Sequence, residues 1–222
     1  MPLAMRPKGA ATARRSRDSP TVRTGSSPRA ISISGSPGDS GKVFSRAMFR
    51  LETPRLIIRP WEPSDRDAFA VMARDPEIMR YIRDGKPFSE DEIDEYLARQ
   101  GRQIANFGVC MGALVEKATG RVAGVAGTQP LGGLPDYEIG WWLMRDVWGR
   151  GYATEAGAAA MQHVFDVVGK PRVVAIIDPG NDASVAVVKR LGMVYDRRYT
   201  GEELKHRMPD IVVDLFYRNR DS

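Results

Sequence analysis

The sequence predicts a mixed α/β (α+β) fold, with a mostly antiparallel, twisted sheet flanked by helices. Three observations predict it. The apolar periods along residues 48–222 read in the order β-α-α-β-β-β-α-β-α-β-β. Short turn segments join neighbouring strands into hairpins, which are antiparallel. One strand–helix–strand unit, residues 137–177, calls for a parallel pair. The sheet is therefore mixed, unlike an all-parallel doubly wound one.

Each element has its own signal. Residues 55–61 are an apolar run closed by Pro60 and read as the first strand. Ser64 to Asp67 reads as a capping box opening a helix with Phe69 and Met72 inward, which Asp75-Pro76 stops. Ser89 to Glu92 is a second box, opening a helix with Ile93, Tyr96, Leu97 and Ile104 inward. Alternation from Phe107 to Val115, the turn Lys117–Gly120 and the run Val122–Thr128 predict a hairpin. Tyr137–Met144 is an aromatic strand, and Trp141 and Trp142 should point to opposite faces. Thr154–Val168 has helical spacing, Val173–Ile177 is a fully apolar strand, and Asn181–Leu191 is a helix closed by Gly192. Met193–Tyr199 and Ile211–Tyr217 close the sheet.

Of the net charge of +5, residues 1–47 contribute +7 and residues 48–222 contribute −2. A nucleic-acid-binding domain is basic in its folded part, so direct nucleic-acid binding is not expected. Residues 1–47 are rich in Ser, Gly, Pro and Arg without periodicity and read as a disordered basic tail. The tail fits a transit peptide, a tether to an anionic polymer, or a mis-assigned start with the true one at Met48. We favour the last, because periodic sequence begins immediately afterwards. Deleting residues 1–47 is expected to leave the melting temperature nearly unchanged; a large fall would show that the tail packs on the domain. One cysteine excludes an internal disulfide and a Cys-rich metal site, and two distant histidines give no ligand spacing, so no metal is expected. No apolar run approaches the roughly 20 residues that span a bilayer; no membrane association and a cytoplasmic location are expected.

The most informative stretch is Leu143 to Ala156, which leaves a strand, passes Gly149-x-Gly151 and enters a helix. Glycines there allow close approach, and the N–H groups of the turn and helix N-terminus form a phosphate cradle. Arg150 and Arg145 can add positive charge. No Gly-Lys-Ser/Thr follows, so it is not a Walker A loop, and Thr154 stands where a dinucleotide fingerprint has its third glycine.

This segment resembles the acetyl-CoA pyrophosphate loop of the GCN5-related N-acetyltransferases (GNAT), in particular the RimJ/RimL-type branch of ribosomal-protein N-terminal acetyltransferases. Leu51–Pro60 resembles that branch's opening, Glu138–Leu143 its fourth strand, and Asn181–Ser184 with Arg190–Met193 its cofactor-facing helix and the strand after it. The resemblance covers residues 50–217. It implies a GNAT domain over residues 48–222, with a splayed parallel strand pair that holds acetyl-CoA as co-substrate. It implies cofactor contacts at Leu143, Arg145, Trp148, Gly149, Arg150, Gly151, Tyr152, Ala153, Thr154 and Asn181. Trp148 stands where the family's broad pattern has Arg or Gln, so no charged side-chain contact is expected there; the backbone cradle is unaffected.

Acetyl transfer to an amine needs a base, a polarised carbonyl and a proton for the leaving thiolate. Glu138 is the candidate base; its alternative is a solvated strand carboxylate or a salt-bridge partner. His206 is the other candidate base, but Lys205 and Arg207 flank it. The resemblance places Ser184 beside the sulfur, as proton donor or hydrogen-bond partner, and Asn181 beside the pantetheine amides; both also suit a helix start. The expected partners are acetyl-CoA and an amine acceptor, a ribosomal or other protein N-terminus or a small amine, bound by loops 83–88, 129–135 and 200–209 of a monomer or homodimer. The alternative function is a non-catalytic acyl-CoA-binding module, which needs neither Glu138 nor Ser184.

Overall fold

The structure, a computed structural model, describes residues 49–222; the reading of residues 1–47 as a tail or mis-assigned start lies outside them. The described chain opens with Leu51–Glu52 (β1) and Leu56–Arg59 (β2), followed by helices Arg66–Arg74 (α1), Pro76–Met79 (α2) and Glu90–Phe107 (α3). Strands Met111–Glu116 (β3), Val122–Pro130 (β4) and Tyr137–Leu143 (β5) lead to helix Tyr152–His163 (α4). Arg172–Ile177 (β6), Asp182–Arg190 (α5), Val194–Thr200 (β7) and Val212–Asn219 (β8) complete the domain. One eight-stranded sheet runs β1-β2-β3-β4-β5-β6-β8-β7. Every adjacent pair is antiparallel except β5–β6. The mixed sheet flanked by helices is thus as expected.

Both faces of β3 are buried, as are those of most of β4, which is why the sheet centre lies there. Met111, Ala113 and Val115 face α1 and α3, where Phe69 stacks on Tyr96 at 4.6 Å. Cys110 and Leu114 lie on the opposite face with Tyr152 and Ala156 of α4. The two tryptophans do face opposite ways. Trp142 joins the Phe69–Tyr96 cluster, and Trp141 packs towards α4 and α5.

Several local boundaries differ from expectation. Phe107 ends α3 instead of starting a strand, because Gly108 at φ 71° donates its N–H back to Ile104 and closes the helix. The first capping box is made by Glu62 and Asp65, two residues earlier than expected, because Pro63 starts a short turn ahead of α1. Pro76 does not merely end a helix. Asp75 accepts from the N–H of Glu77 at 2.9 Å and starts α2 with Pro76 in its first turn. The helix expected from Thr154 starts at Tyr152 and loosens into a π-turn over Val164–Val168. His163 is buried against Phe49. Among the described residues, no helix is long and apolar enough to cross a membrane, and no group of three or more His, Cys, Asp or Glu could hold a metal ion.

Candidate active site

The site begins where the sheet forks. β5 and β6 pair only through Tyr137↔Val173 and Glu138↔Val174, although both strands continue. Beyond that point β5 stays bonded to β4 alone. The Met144 N–H donates to the Ala123 carbonyl at 2.9 Å, which fixes the alternation of the ladder. Even-numbered residues of β5 turn their backbone groups to β4, and odd-numbered ones turn theirs to the β6 side. The N–H groups of Trp141 and Leu143 therefore edge the gap. The Leu143 carbonyl is occupied, since it accepts from Trp148 Nε1 at 2.9 Å. Trp148 thus ties the loop to the strand with its indole N–H.

The glycine loop lies at the end of β5. Gly149 at φ 75° and Gly151 at φ 78°, ψ 8° are both left-handed, and Gly151 is the N-cap of α4. The first intrahelical N–H is that of Glu155, bonded to the Gly151 carbonyl at 3.1 Å. The N–H groups of Tyr152, Ala153 and Thr154 precede it and have no helical acceptor. The heads of Arg145 and Arg150 are exposed, with long contacts to Asp75 (3.7 Å) and Glu116 (3.8 Å). The Tyr152 side chain is turned inward. Its hydroxyl donates to Glu116 at 2.9 Å, so only its backbone faces the loop mouth.

The loop is held by residues that the sequence reading passed over. Glu155 accepts from Thr53 Oγ1 at 2.6 Å, from the Arg55 N–H at 2.9 Å and from Arg55 Nε at 2.6 Å. Burial acts to raise the Glu155 carboxyl, but these donors outweigh it and hold it below the usual range. Arg55 also donates to the Arg150 carbonyl at 2.9 Å and lies over the Tyr152 ring at 4.7 Å. The opening segment therefore braces the loop. Both partners stood in the motifs already singled out, but nothing local pairs residues 100 positions apart.

At the other end of β5, Glu138 stands at the fork, five residues or roughly 17 Å along the strand from Leu143. It lines a cleft of about 260 Å³ together with Trp141, Trp142, Asn181 and Ser184. Gln129 Nε2 donates to its carboxylate at 3.0 Å, and Thr128 Oγ1 donates to its carbonyl at 2.7 Å. Burial pushes the Glu138 carboxyl up to about 7, against the Gln129 hydrogen bond and the charge of Arg99. A carboxylate poised there can take a proton at neutral pH. The Asn181 side-chain oxygen caps α5 by accepting from the Ser184 N–H at 3.0 Å. His206 reaches the same cleft, but its Nδ1 already accepts from the Met208 N–H at 3.2 Å. Burial, with Arg207 and Arg99 nearby, lowers its affinity for a proton.

The raised Glu138 carboxyl has a measurable consequence for stability. Between the ordinary carboxylate range and about pH 7, the unfolded chain has released this proton and the folded chain has not. The unfolded state then binds fewer protons, so folding stability falls as pH rises through that window. Glu138→Gln removes this contribution. The stability of the variant relative to the wild type should rise by up to about 3 kcal/mol from pH 4.5 to above pH 7, measured by urea unfolding. Parallel stability curves would show that the carboxyl titrates normally.

The chain matches the acetyltransferase (GNAT) domain over residues 55–194. It is 31% identical over 154 residues to the uncharacterized protein YkkB of Bacillus subtilis strain 168, covering 68% of this chain and 88% of that protein. An acetyltransferase structure from Agrobacterium tumefaciens is similar at a TM-score of 0.67 and 25% identity, covering 82% of this chain and 100% of that one. The structure of RimL, a ribosomal L7/L12 alpha-N-protein acetyltransferase in complex with coenzyme A, shares the fold at a TM-score of 0.64 and 17% identity, covering 78% of this chain and 98% of that one. The family match begins at the residue that braces the loop and ends in β7, beyond the α5 side of the cleft. It is thus the forked sheet with both ends of its cleft, and not the glycine loop alone, by which this chain belongs to the GNAT family of acetyltransferases.

Proposed function

We propose that this chain is an acetyl-CoA-dependent N-acetyltransferase that acetylates a primary amine by direct attack in a ternary complex. The observation that carries this reading is the position of Glu138. It stands at the fork of the sheet with a proton affinity near neutrality, on the same strand that leads to the glycine loop. The backbone N–H groups of the loop and of the first turn of α4 would hold the pyrophosphate, and those along β5 the pantetheine arm. The amine nitrogen attacks the thioester carbonyl carbon, and its proton passes to Glu138 directly or through a water. The Leu143 N–H suits an oxyanion or amide partner facing the gap. Collapse breaks the C–S bond, and Ser184 on the facing helix protonates or hydrogen-bonds the departing thiolate.

The RimJ/RimL-type assignment, with a ribosomal or other protein N-terminus as acceptor, is part of the proposal. It is supported by the Trp148–Thr154 loop and the Leu51–Pro60 opening. The co-substrate is an intracellular thioester, which supports a cytoplasmic location. Thiol release from acetyl-CoA, followed across a panel of peptides and small amines, tests the reading. Amine-dependent release with acetylated product by mass spectrometry is the expected result. Tight acetyl-CoA binding without turnover on any amine would point to the binding-module alternative.

A further inference from the structure

Beyond Glu138 the cleft gathers three guanidiniums, with Asp178 as the second acid of its lining. Arg83, Arg99 and Arg207 reach it from three separate segments: the loop before α3, α3 itself, and the loop between β7 and β8. Arg83 is paired with Glu92 at 2.5 Å and lies over the Phe88 ring at 4.3 Å. Arg99 and Arg207 are not paired. Among the described residues, neither forms a hydrogen bond or an ion pair. Arg99 lies over the Tyr96 ring at 5.1 Å with its Nε buried and unsatisfied. Arg207 is exposed at the rim, yet partial loss of solvent and then the charges of Arg99 and Arg83 lower its proton affinity.

The backbone of this rim is strained as well. Arg83 at φ 59° and Lys205 at φ 47° are the two left-handed non-glycine residues among those described, and they lie on the two rim loops. Such strain collects where a loop is shaped for a ligand. Guanidiniums brought together repel one another, and an anion between them reverses that cost. Glu138 supplies the opposite charge at the floor of the same cleft. A zwitterion satisfies both ends, with its ammonium towards Glu138 and its anion towards the arginines. The planar guanidinium fork matches a carboxylate in two parallel hydrogen bonds.

We infer that the acceptor is an aminocarboxylate, a primary amine with a carboxylate a few bonds away, recognised through Arg99 and Arg207. The inference rests on the acetyl-transfer reading and narrows its substrate class. A free amino acid, or a peptide whose first residue carries an acidic side chain, presents the same chemistry.

The test uses the full chain with matched acceptors: an amino acid, its carboxamide, its phosphonate analogue, and dipeptides that begin with an acidic residue or with its amide. Thiol release is measured for the wild type and for Arg99→Gln, Arg207→Gln and Arg207→Lys. The wild type should prefer a carboxylate over its matched amide by at least about 10-fold in kcat/KM. Either glutamine variant should bring that ratio towards one by raising the acceptor KM, with the KM for acetyl-CoA unmoved. Arg207→Lys should recover part of the preference by keeping the charge. Turnover of amino acids with inert dipeptides identifies a small-molecule source, and the reverse identifies a peptide; both support the inference. A wild-type ratio near one, a ratio that the glutamine variants do not change, or a preference for the phosphonate overturns it. If no amine promotes thiol release, the acetyl-transfer reading has failed. Calorimetry then decides the anion site, comparing an N-acetylated aminocarboxylate with its amide. Tighter binding of the carboxylate that is lost in Arg207→Gln keeps the site, and equal binding removes it.

Discussion

Glu138→Gln is expected to lower amine acetylation at pH 7 by about 10²-fold or more, with the acetyl-CoA dissociation constant close to wild type. General-base catalysis supplies about 10²–10⁴-fold. The amide keeps the size of the side chain and can still bond to Gln129, but it cannot take a proton from the attacking amine. The pH dependence sharpens the test. With its proton affinity raised to about 7, Glu138 is protonated and inactive as a base below that pH, so the wild-type rate should fall with acidity through an inflection near 7. The variant should lack that inflection. The gap between the two should close at high pH, where the free amine forms in bulk solvent. An unchanged rate in the variant would return Glu138 to a structural role and move the base to a water chain or to an amine deprotonated before binding. A loss that is constant with pH and accompanied by a higher acceptor KM would make it a positioning residue.

Gly151→Val should weaken acetyl-CoA binding by about 10²-fold or more while costing only about 1–2 kcal/mol of stability. Gly151 is left-handed at φ 78°, where a β-branched residue is strained. Space is not the obstacle. A Cβ there would meet Arg55 Nη2 at 3.6 Å, an ordinary contact. The valine escapes its strain by moving the backbone, and that swings the N–H groups of Tyr152, Ala153 and Thr154 away from their common focus. It also disturbs the Arg55 bond to the Arg150 carbonyl. Calorimetry of acetyl-CoA binding beside urea unfolding separates the two effects. Lost stability with unchanged affinity would make Gly151 a turn residue and nothing more.

The glycine loop was legible in the sequence because its requirement is local: two left-handed positions, Gly149 and Gly151, placed between a strand and a helix start. The order of the main elements was legible for the same reason, since apolar period and capping chemistry are written within a few residues. Boundaries failed where two local signals overlapped. Phe107 continued a strand-like alternation, yet Gly108 stops a helix just after it, and Asp75-Pro76 reads equally as an end and as a beginning.

The properties of the site itself came from tertiary structure. Glu138 could be named from its strand, but its raised proton affinity depends on burial beneath segments distant in the chain. The brace of Thr53, Arg55 and Glu155 spans about a hundred residues, and Arg83, Arg99 and Arg207 come together from three of them. The sequence by itself determined the strands, the helices and the turn chemistry of the phosphate cradle, because those depend on backbone preferences between near neighbours. The charge balance of the cleft was decided only by the fold, because burial and Coulomb energy depend on which distant groups the packing brings within a few ångströms.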